Sequence, residues 1–220
     1  MTMSSSELFA KIDMLEDSVE CLAMAGHMEK AKEAALKMIE KKPTAKIICI
    51  YGELTGDLTY LEKAWNFSNK RLARAKRAEA RFNFNRGNTE KAIECYKDAL
   101  QVNTYHAASW FTLGCAYLKV QKYQDAVVAF SQVVSIDETQ GEAWANMASA
   151  FSIQGKKLEA FNALQQSVKH NENNWRIWQN LMFVALESKK FKPFLEAIDK
   201  LLKINRVLRI EILNILTHNF

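Results

Sequence analysis

The chain has 220 residues, of which 49% are hydrophobic, 10% aromatic and 25% charged, and this composition excludes a mainly disordered protein. With only 7 Gly and 2 Pro it also argues against a turn-rich all-β fold and favours long helices. The 30 Lys and Arg against 25 Asp and Glu give a formal net charge of +5, which neither requires nor rules out a polyanionic partner.

Residues 1–72 have the apolar spacing of two divergent helix pairs. Ser4 and Glu7 are placed as a capping box before a helix whose apolar residues recur every three or four positions, namely Leu8, Ile12, Leu15, Val19 and Leu22. Gly26, Ala31 and Pro43 then have the separations of a turn, a close helix crossing and a terminal proline. These signals predict a first helix pair that begins near Ile12.

The second pair is irregular. The sequence predicts a short apolar helix at Ile47–Tyr51, a turn over Gly52-Glu53-Leu54-Thr55-Gly56-Asp57, and another helix from about Tyr60. The turn lacks the Gly-Lys-Ser/Thr of a phosphate-binding loop. We therefore interpret it as a helix stop followed by an N-cap.

From residue 73 onward the sequence repeats itself. Tryptophan and alanine each recur at intervals of 34 residues, at Trp110, Trp144 and Trp178 and at Ala92, Ala126 and Ala160. The string Trp110-Phe111-Thr112-Leu113-Gly114-Cys115-Ala116-Tyr117, followed by Ala126 and Phe130, fits the pattern W-x-x-L-G-x-x-Y…A-x-x-x-F. In this region the chain resembles tetratricopeptide repeat proteins.

That resemblance implies an all-α tetratricopeptide repeat α-solenoid of about six antiparallel helix pairs in a right-handed superhelix. Four repeats are expected at 73–106, 107–140, 141–174 and 175–208. Gly114 and Ala126 are the residues that allow the two helices of one repeat to approach closely. An apolar terminal helix is expected at 209–220, with Ile210, Ile212, Leu213, Ile215, Leu216 and Phe220 around most of its circumference, and it would dock on a partner, on another copy or on further repeats.

A narrower resemblance rests on the irregular segment. Gly52-Glu53-Leu54-Thr55-Gly56-Asp57, Tyr60-Leu61-Glu62-Lys63-Ala64-Trp65, Ser68, Arg71-Leu72-Ala73-Arg74-Ala75-Lys76-Arg77 and the string from Trp110 to Leu118 are similar to the tetratricopeptide repeat protein 27 family. The resemblance implies a non-enzymatic adaptor connected with chaperone-assisted assembly of ribonucleoprotein particles. Members of that family are much longer, and no binding residues of theirs can be assigned to positions in this chain.

In stacked helix pairs the first helices line a concave groove, and their places 2, 5, 6, 9, 12 and 13 point into it. The candidate partner-binding residues at such places are Arg74, Arg77, Arg81, Phe111, Lys119, Asn146, Arg176 and Asn180. We expect a protein or an acidic peptide segment as the partner. Repeat domains that bind chaperone tails hold a terminal carboxylate with Lys, Asn and Arg, but here Phe111 and Cys115 take the first repeat's places, so that clamp is incomplete.

Positive charge is concentrated between residues 63 and 86. Eight basic residues face one acidic residue, Glu79, which gives this segment a net charge of +7. Lys70, Arg74, Arg77 and Arg81 are spaced as one helical stripe over residues 70–81. Three interpretations stay open: a solvated face paired with carboxylates from adjacent helices, a site for an acidic protein segment, and an RNA-associated module that binds phosphates.

Catalysis, cofactors and metals are not expected. Cys21, Cys49, Cys95 and Cys115 are far apart and are predicted to be reduced, buried apolar residues. The four histidines form no catalytic or metal-binding motif. The first residues do not read as an export signal and no apolar run is long enough for a membrane helix, so a cytoplasmic location is expected, with the nucleus as a second one.

Overall fold

The computed structural model describes residues 15–204, which form twelve α-helices and contain no strand. The all-α prediction is therefore confirmed over this range. The chain divides into two compact units, Met1–His106 and Ala107–Phe220. The predicted capping box at Ser4 and Glu7 and the predicted terminal helix at 209–220 lie outside the described residues.

The described part of the first unit holds six helices in three antiparallel pairs. They are α1 (Leu15–Met24), α2 (Met28–Lys41), α3 (Ala45–Thr55), α4 (Leu58–Phe67), α5 (Ala73–Asn85) and α6 (Thr89–Val102). Each helix packs against the next one in the chain, and α3 also contacts both α1 and α5. The three first helices of these pairs thus lie side by side, as stacking of hairpins requires.

The second unit repeats the same plan. Its helices are α7 (Ala107–Lys119), α8 (Tyr123–Ile136), α9 (Gly141–Ile153), α10 (Lys157–His170), α11 (Trp175–Glu187) and α12 (Phe191–Ile204). Each helix again packs on the next, and α7 contacts α9. The first helices begin at Ala107, Gly141 and Trp175, so the 34-residue interval of the sequence is the interval of the helices themselves.

The recurring tryptophans anchor the corner where one repeat passes into the next. The Trp144 indole N–H donates to the backbone carbonyl of Glu138 at 3.0 Å. The Trp178 indole N–H donates to that of Glu172 at 2.8 Å. Each tryptophan therefore fixes the start of its helix to the preceding connection, and the ring of Trp178 is also buried in the core, whereas Trp144 is half-buried.

Gly114 allows α7 and α8 to cross closely, as predicted. A Cβ atom at this position would lie 2.7 Å from the ring of Phe130, which is fully buried. In the next repeat the equivalent places hold Ala148 and Leu164, which are both buried. A larger residue on the first helix is thus matched by a smaller one on the second.

The irregular second pair differs from its prediction. Helix α3 continues through Gly52 to Thr55, so the turn predicted at 52–57 is wrong for most of its length. The helix stop and the N-cap are confirmed one turn later, where Gly56 has a left-handed φ of 70° and the Asp57 side chain accepts from the Thr59 N–H. Gly52 is buried because Leu61 of α4 packs on it, 2.8 Å from where a Cβ would stand.

Two charged residues occupy normally apolar places of α5. Lys76 and Glu79 form an ion pair of 2.8 Å whose carboxylate is buried. The Lys76 ammonium also lies 5.8 Å from the centre of the Trp65 ring. Burial acts to lower the pKa of Lys76, but the hydrogen bond to Glu79 and the attraction of nearby negative charges together raise it. The pair is therefore accommodated as a neutral unit.

No helix between Leu15 and Ile204 combines the length and the apolar character that crossing a membrane requires.

Candidate partner-binding surfaces

Arg74 of α5 is held by two carboxylates from other helices. Its guanidinium donates to Glu20 of α1, and to Glu53 of α3 at 2.6 and 3.1 Å. Burial acts to lower the pKa of Arg74, but the hydrogen bonds to Glu53 and Glu20 raise it. For this residue the solvated-face interpretation, with carboxylates from adjacent helices, fits the structure. Arg74 links three helices of the first unit.

Arg77 lies one turn further along α5 in a different environment. It is half-buried, and within residues 15–204 it has no ion pair and no hydrogen bond through its side chain. Burial, and then the charge of Arg74, lower the pKa of Arg77. Arg77 is therefore a cation that makes no ion pair or hydrogen bond with a carboxylate of the described part of the chain, although the charge of Glu53 attracts it at longer range.

Arg81 is the exposed end of this row. Its side chain is 60% exposed, and its guanidinium is 3.9 Å from Glu53, a long and weak ion pair. We call Arg77 and Arg81 together the α5 arginine pair. The predicted stripe is wrong at its other end, because Lys70 has φ 62° in the connection before α5 begins at Ala73.

A cavity of about 360 Å³ adjoins Arg74 in the first unit. It is lined by Glu20, Ala23, Met24, Ile50, Glu53, Leu54 and Arg74. Its charged residues are already paired with one another. The cavity thus has an apolar wall next to the ion-paired cluster of Arg74, Glu20 and Glu53.

The remaining predicted residues belong to the second unit. Phe111 of α7 is half-buried with its ring edge against Phe130, 5.7 Å between centroids, so it contributes to packing as well as to the surface. Lys119 lies exposed at the end of α7. Arg176 is exposed on α11, 5.4 Å from the centre of the Trp175 ring. Within the second unit, no cavity described brings these three together.

A second cavity, of about 340 Å³, lies between α9 and α11. Its lining consists of Ala148, Ser149, Ser152, Ile153, Leu164, Asn180, Phe183, Val184 and Glu187. Asn180 is exposed at this cavity, whereas Asn146, its equivalent on α9, is not part of the lining. We call this the α9–α11 cavity.

Sequence reasoning missed Ile153 and Glu187. They take the same repeat place as Lys119, 34 and 68 residues later. The repeat register could have found them. A search for one kind of side chain missed them, because the residue at this repeat place changes from basic Lys119 to apolar Ile153 to acidic Glu187.

Within residues 15–204 no three or more His, Cys, Asp or Glu side chains are grouped to hold a metal ion. All four cysteines are free, but the prediction that all are buried is wrong for Cys21 and Cys115, which are half-buried. Burial raises the pKa of Cys49 and of Cys95 to about 12. These two thiols stay protonated at neutral pH.

Comparisons with known proteins agree with this architecture. Residues 53–170, more than half of the chain, match a family model described as "Cilia and flagella-associated protein 70 middle TPR-like domain". A curated relative, "Tetratricopeptide repeat protein 27 homolog" of Dictyostelium discoideum, is 34% identical over 119 residues, which is 54% of this chain and 14% of that protein. The predicted resemblance to the tetratricopeptide repeat protein 27 family is confirmed.

Two solved structures show the same fold at low identity. The C-terminal part of a TPR repeat-containing protein from Cytophaga hutchinsonii has a TM-score of 0.76 at 14% identity, covering 94% of this chain and 92% of that chain. The structure described as "YrrB: a TPR protein with an unusual peptide-binding site" has a TM-score of 0.65 at 19% identity, covering 80% and 94%. The chain spans about one seventh of the length of the Dictyostelium relative. By its sequence match and its helical repeats, the chain belongs to the family of the cilia and flagella-associated protein 70 middle TPR-like domain.

Proposed function

We propose that the chain is a non-catalytic adaptor that binds an acidic protein segment through the α5 arginine pair. The observation that carries the proposal is Arg77, a half-buried cation that forms no ion pair within residues 15–204. A guanidinium presents a planar fork of N–H donors that matches a carboxylate. A bound aspartate or glutamate would supply the missing counter-charge.

The partners of the neighbouring arginines favour Arg77 over Arg74 as the receptor of a ligand carboxylate. Arg74 already donates to Glu20 and Glu53, so a ligand carboxylate would have to compete with two internal ones. Arg81 is only loosely associated with Glu53 at 3.9 Å. The two members of the α5 arginine pair lie four residues apart on one helix face, within reach of the same acidic segment.

A peptide ligand is also in keeping with the fold. YrrB, which shares this architecture, is described as having an unusual peptide-binding site. Stacked hairpins display side chains from several first helices without rearrangement, so little conformational entropy is lost on binding.

A fluorescent peptide of alternating glutamate and leucine tests the proposal by fluorescence anisotropy. Arg77→Gln removes one guanidinium and should weaken binding about tenfold or more, because a hydrogen bond to a charged group contributes about 1.5–3 kcal/mol. Arg71→Gln is the matched control. It removes the same charge from an exposed residue of the α4–α5 connection and should change binding less than about twofold.

Equal losses in Arg77→Gln and Arg71→Gln would mean that only net charge attracts the peptide, and would remove the site. Retention of full affinity by Arg77→Gln would do the same. A lysine-and-leucine peptide of equal length completes the comparison, since it should not bind.

An RNA-associated role is the second candidate, favoured by the eight basic residues between 63 and 86. It predicts that a single-stranded oligouridine binds more tightly than the acidic peptide. It also predicts that RNA affinity falls steeply between about 50 and 200 mM salt, and that Arg71→Gln and Arg77→Gln weaken RNA binding equally. Phosphate contacts spread over the whole segment would produce that result.

The wider setting is proposed from the family resemblance. A repeat adaptor of this kind would serve chaperone-assisted assembly of ribonucleoprotein complexes in the cytoplasm, with the nucleus as a second location. Affinity purification with mass spectrometry from cells that carry the wild-type chain or Arg77→Gln tests this. Ribonucleoprotein or chaperone subunits should be recovered with the wild type and depleted with the variant.

A further inference from the structure

A phenylalanine ring contacts two arginines at the C-terminal end of α5. The guanidinium carbon of Arg81 lies 5.8 Å from the centre of the Phe82 ring, and that of Arg86 lies 5.9 Å from it. The two guanidinium carbons are therefore no more than about 12 Å apart. We call Arg81, Phe82 and Arg86 the α5 tip cluster.

The preceding hairpin holds this cluster in place. Phe82 is half-buried and packs against the hydrophobic core of the first unit. Its ring lies next to Gly56 in the α3–α4 connection, 3.6 Å from where a Cβ atom of that glycine would stand. The Arg86 guanidinium donates to the backbone carbonyl of Gly56 at 3.1 Å. The ring and one of its two arginines are thus fixed to the same turn.

Both guanidiniums of the cluster keep most of their N–H donors free of protein acceptors. The carboxylate of Glu53 lies 3.9 Å from Arg81 but already accepts two hydrogen bonds from Arg74. Arg86 makes no ion pair with the residues that the structure describes, and its partner Gly56 offers a neutral carbonyl. A cation–π contact orders a guanidinium without using its N–H groups. The cluster therefore presents two ordered positive charges to solvent.

The packing of the repeat does not account for these charges. Thirty-four and 68 residues later, the place of Phe82 is taken by Ala116 and Ala150, which are fully buried. The place of Arg86 is taken there by Val120 and Gln154. Stacked hairpins thus form with a small apolar residue at the first place and without a cation at the second.

We propose that the α5 tip cluster binds the phosphate monoester of a phosphorylated serine or threonine in the acidic segment. Such a phosphate carries a charge of about −1.5 to −2 at neutral pH and has three acceptor oxygens, so it can accept N–H groups from two guanidiniums at once. A carboxylate has a single negative charge and two oxygens. The inference rests on the proposed function, because Arg81 belongs to both the α5 arginine pair and the cluster, and a segment bound at Arg77 reaches both.

Three versions of the glutamate–leucine peptide test the proposal by fluorescence anisotropy. One central glutamate is kept, or is replaced by serine or by phosphoserine. The wild-type chain should bind the phosphoserine version about tenfold or more tightly than the serine version, because charge-assisted hydrogen bonds to two arginines are added. We call this ratio of affinities the phosphate gain.

Arg86→Gln is the main variant because Arg86 lies outside the α5 arginine pair and is exposed, so the carboxylate site and the core stay intact. It should reduce the phosphate gain to less than about threefold. Arg71→Gln is the matched control. It removes an equal charge from an exposed arginine of the α4–α5 connection and should leave the phosphate gain within about twofold of the wild-type value.

Phe82→Leu tests the ring separately. It keeps both arginines and an apolar side chain beside Gly56, but it removes the two cation–π contacts. The phosphate gain should fall about threefold, since the guanidiniums are then less ordered before binding. Circular dichroism checks that this variant is folded, and Arg86→Gln decides the question if it is not.

The proposal is wrong if the phosphoserine and serine versions bind the wild type equally, or if Arg86→Gln keeps the full phosphate gain. Equal losses of the gain in Arg86→Gln and Arg71→Gln would leave net charge as the explanation and would also overturn it. So would displacement of the phosphoserine peptide by an equal concentration of single-stranded oligouridine, because the cluster would then serve RNA. Failure of the proposed function has a different signature: Arg77→Gln would not weaken binding of the all-glutamate peptide.

Discussion

Three arginines on one face of α5 have three different environments. Arg74 is enclosed by Glu20 and Glu53, Arg77 is half-buried with no ion pair in the described range, and Arg81 extends into solvent. The difference comes from Glu20 of α1 and Glu53 of α3, whose carboxylates form short hydrogen bonds to Arg74, whereas Glu53 approaches Arg81 only to 3.9 Å. Arg77 and Arg81 are thus the less tightly paired members of the row.

Arg74 should therefore matter for stability. Arg74→Ala leaves Glu20 and Glu53 close together without a counter-charge, and should lower the free energy of unfolding by about 1–2 kcal/mol after allowance for partial solvent exposure. Arg81→Ala, on the same helix, should stay within about 0.5 kcal/mol of the wild type. Urea unfolding monitored by circular dichroism measures both, and equal effects would contradict the structural role of Arg74.

The sequence predicted that the arginines of α5 share one helix face, but it did not predict which of them pairs with Glu20 and Glu53. The spacing of Arg74, Arg77 and Arg81 is enough to place them on one side of a helix. Glu20 and Glu53 lie 54 and 21 residues before Arg74, and which arginine they meet depends on the register between α1, α3 and α5. No local pattern encodes that register. The variant that tests the site must accordingly leave Arg74 intact.

At the scale of elements, each repeat has its own fit between its two helices. Gly114 in α7 accommodates the large ring of Phe130, whereas the next repeat combines Ala148 with Leu164. The α7–α8 crossing should therefore be sensitive to one methyl group.

A double-mutant cycle tests this fit. Gly114→Ala should destabilise the chain by about 1–2 kcal/mol, since overpacking against Phe130 exceeds the gain in helix propensity. Adding Phe130→Leu reproduces the pair of the next repeat and should recover part of the loss relative to the sum of the single effects. Thermal unfolding of the four proteins measures the coupling, and strict additivity would exclude the proposed contact.

Helix positions followed from the sequence wherever the repeat was regular. The first helices of the second unit begin at Ala107, Gly141 and Trp175, where the tryptophan register predicts them. The irregular α3 was predicted too short because Gly52 was interpreted as the start of a turn. Its actual role is close contact with Leu61, and a glycine used for packing looks the same in sequence as one used to end a helix.

At the scale of the whole molecule, the four cysteines report on burial across both units. Cys49 and Cys95 are buried, with pKa values raised to about 12, so they should resist iodoacetamide at pH 8, where their thiols remain protonated. Cys21 is half-buried and should react first. Mass spectrometry of the alkylated chain gives the order, and in denaturant all four should react. Labelling of Cys49 as fast as Cys21 under native conditions would contradict the described core.

The fold was predictable as a whole because one helix-pair unit recurs several times in the sequence. Each copy supports the helix boundaries assigned to the others. The partner was not predictable to the same degree. The groove places carry different chemistry in each repeat, from Arg81 to Cys115 to Ser149 to Phe183, so no consensus describes them. The predicted groove residues vary from repeat to repeat, whereas the core residues recur.

The close crossing at Gly114 has a consequence for how this chain can diverge over generations. Because the ring of Phe130 fills the space that a Cβ would need, either residue is free to change only if the other changes with it. Substitutions at positions 114 and 130 should therefore be correlated in descendants of this chain. Substitutions at the equivalent pair, 148 and 164, should be independent of them. A hairpin moved from one place in this array to another would keep the fit between its own two helices, because that fit depends on a pair of residues within the hairpin.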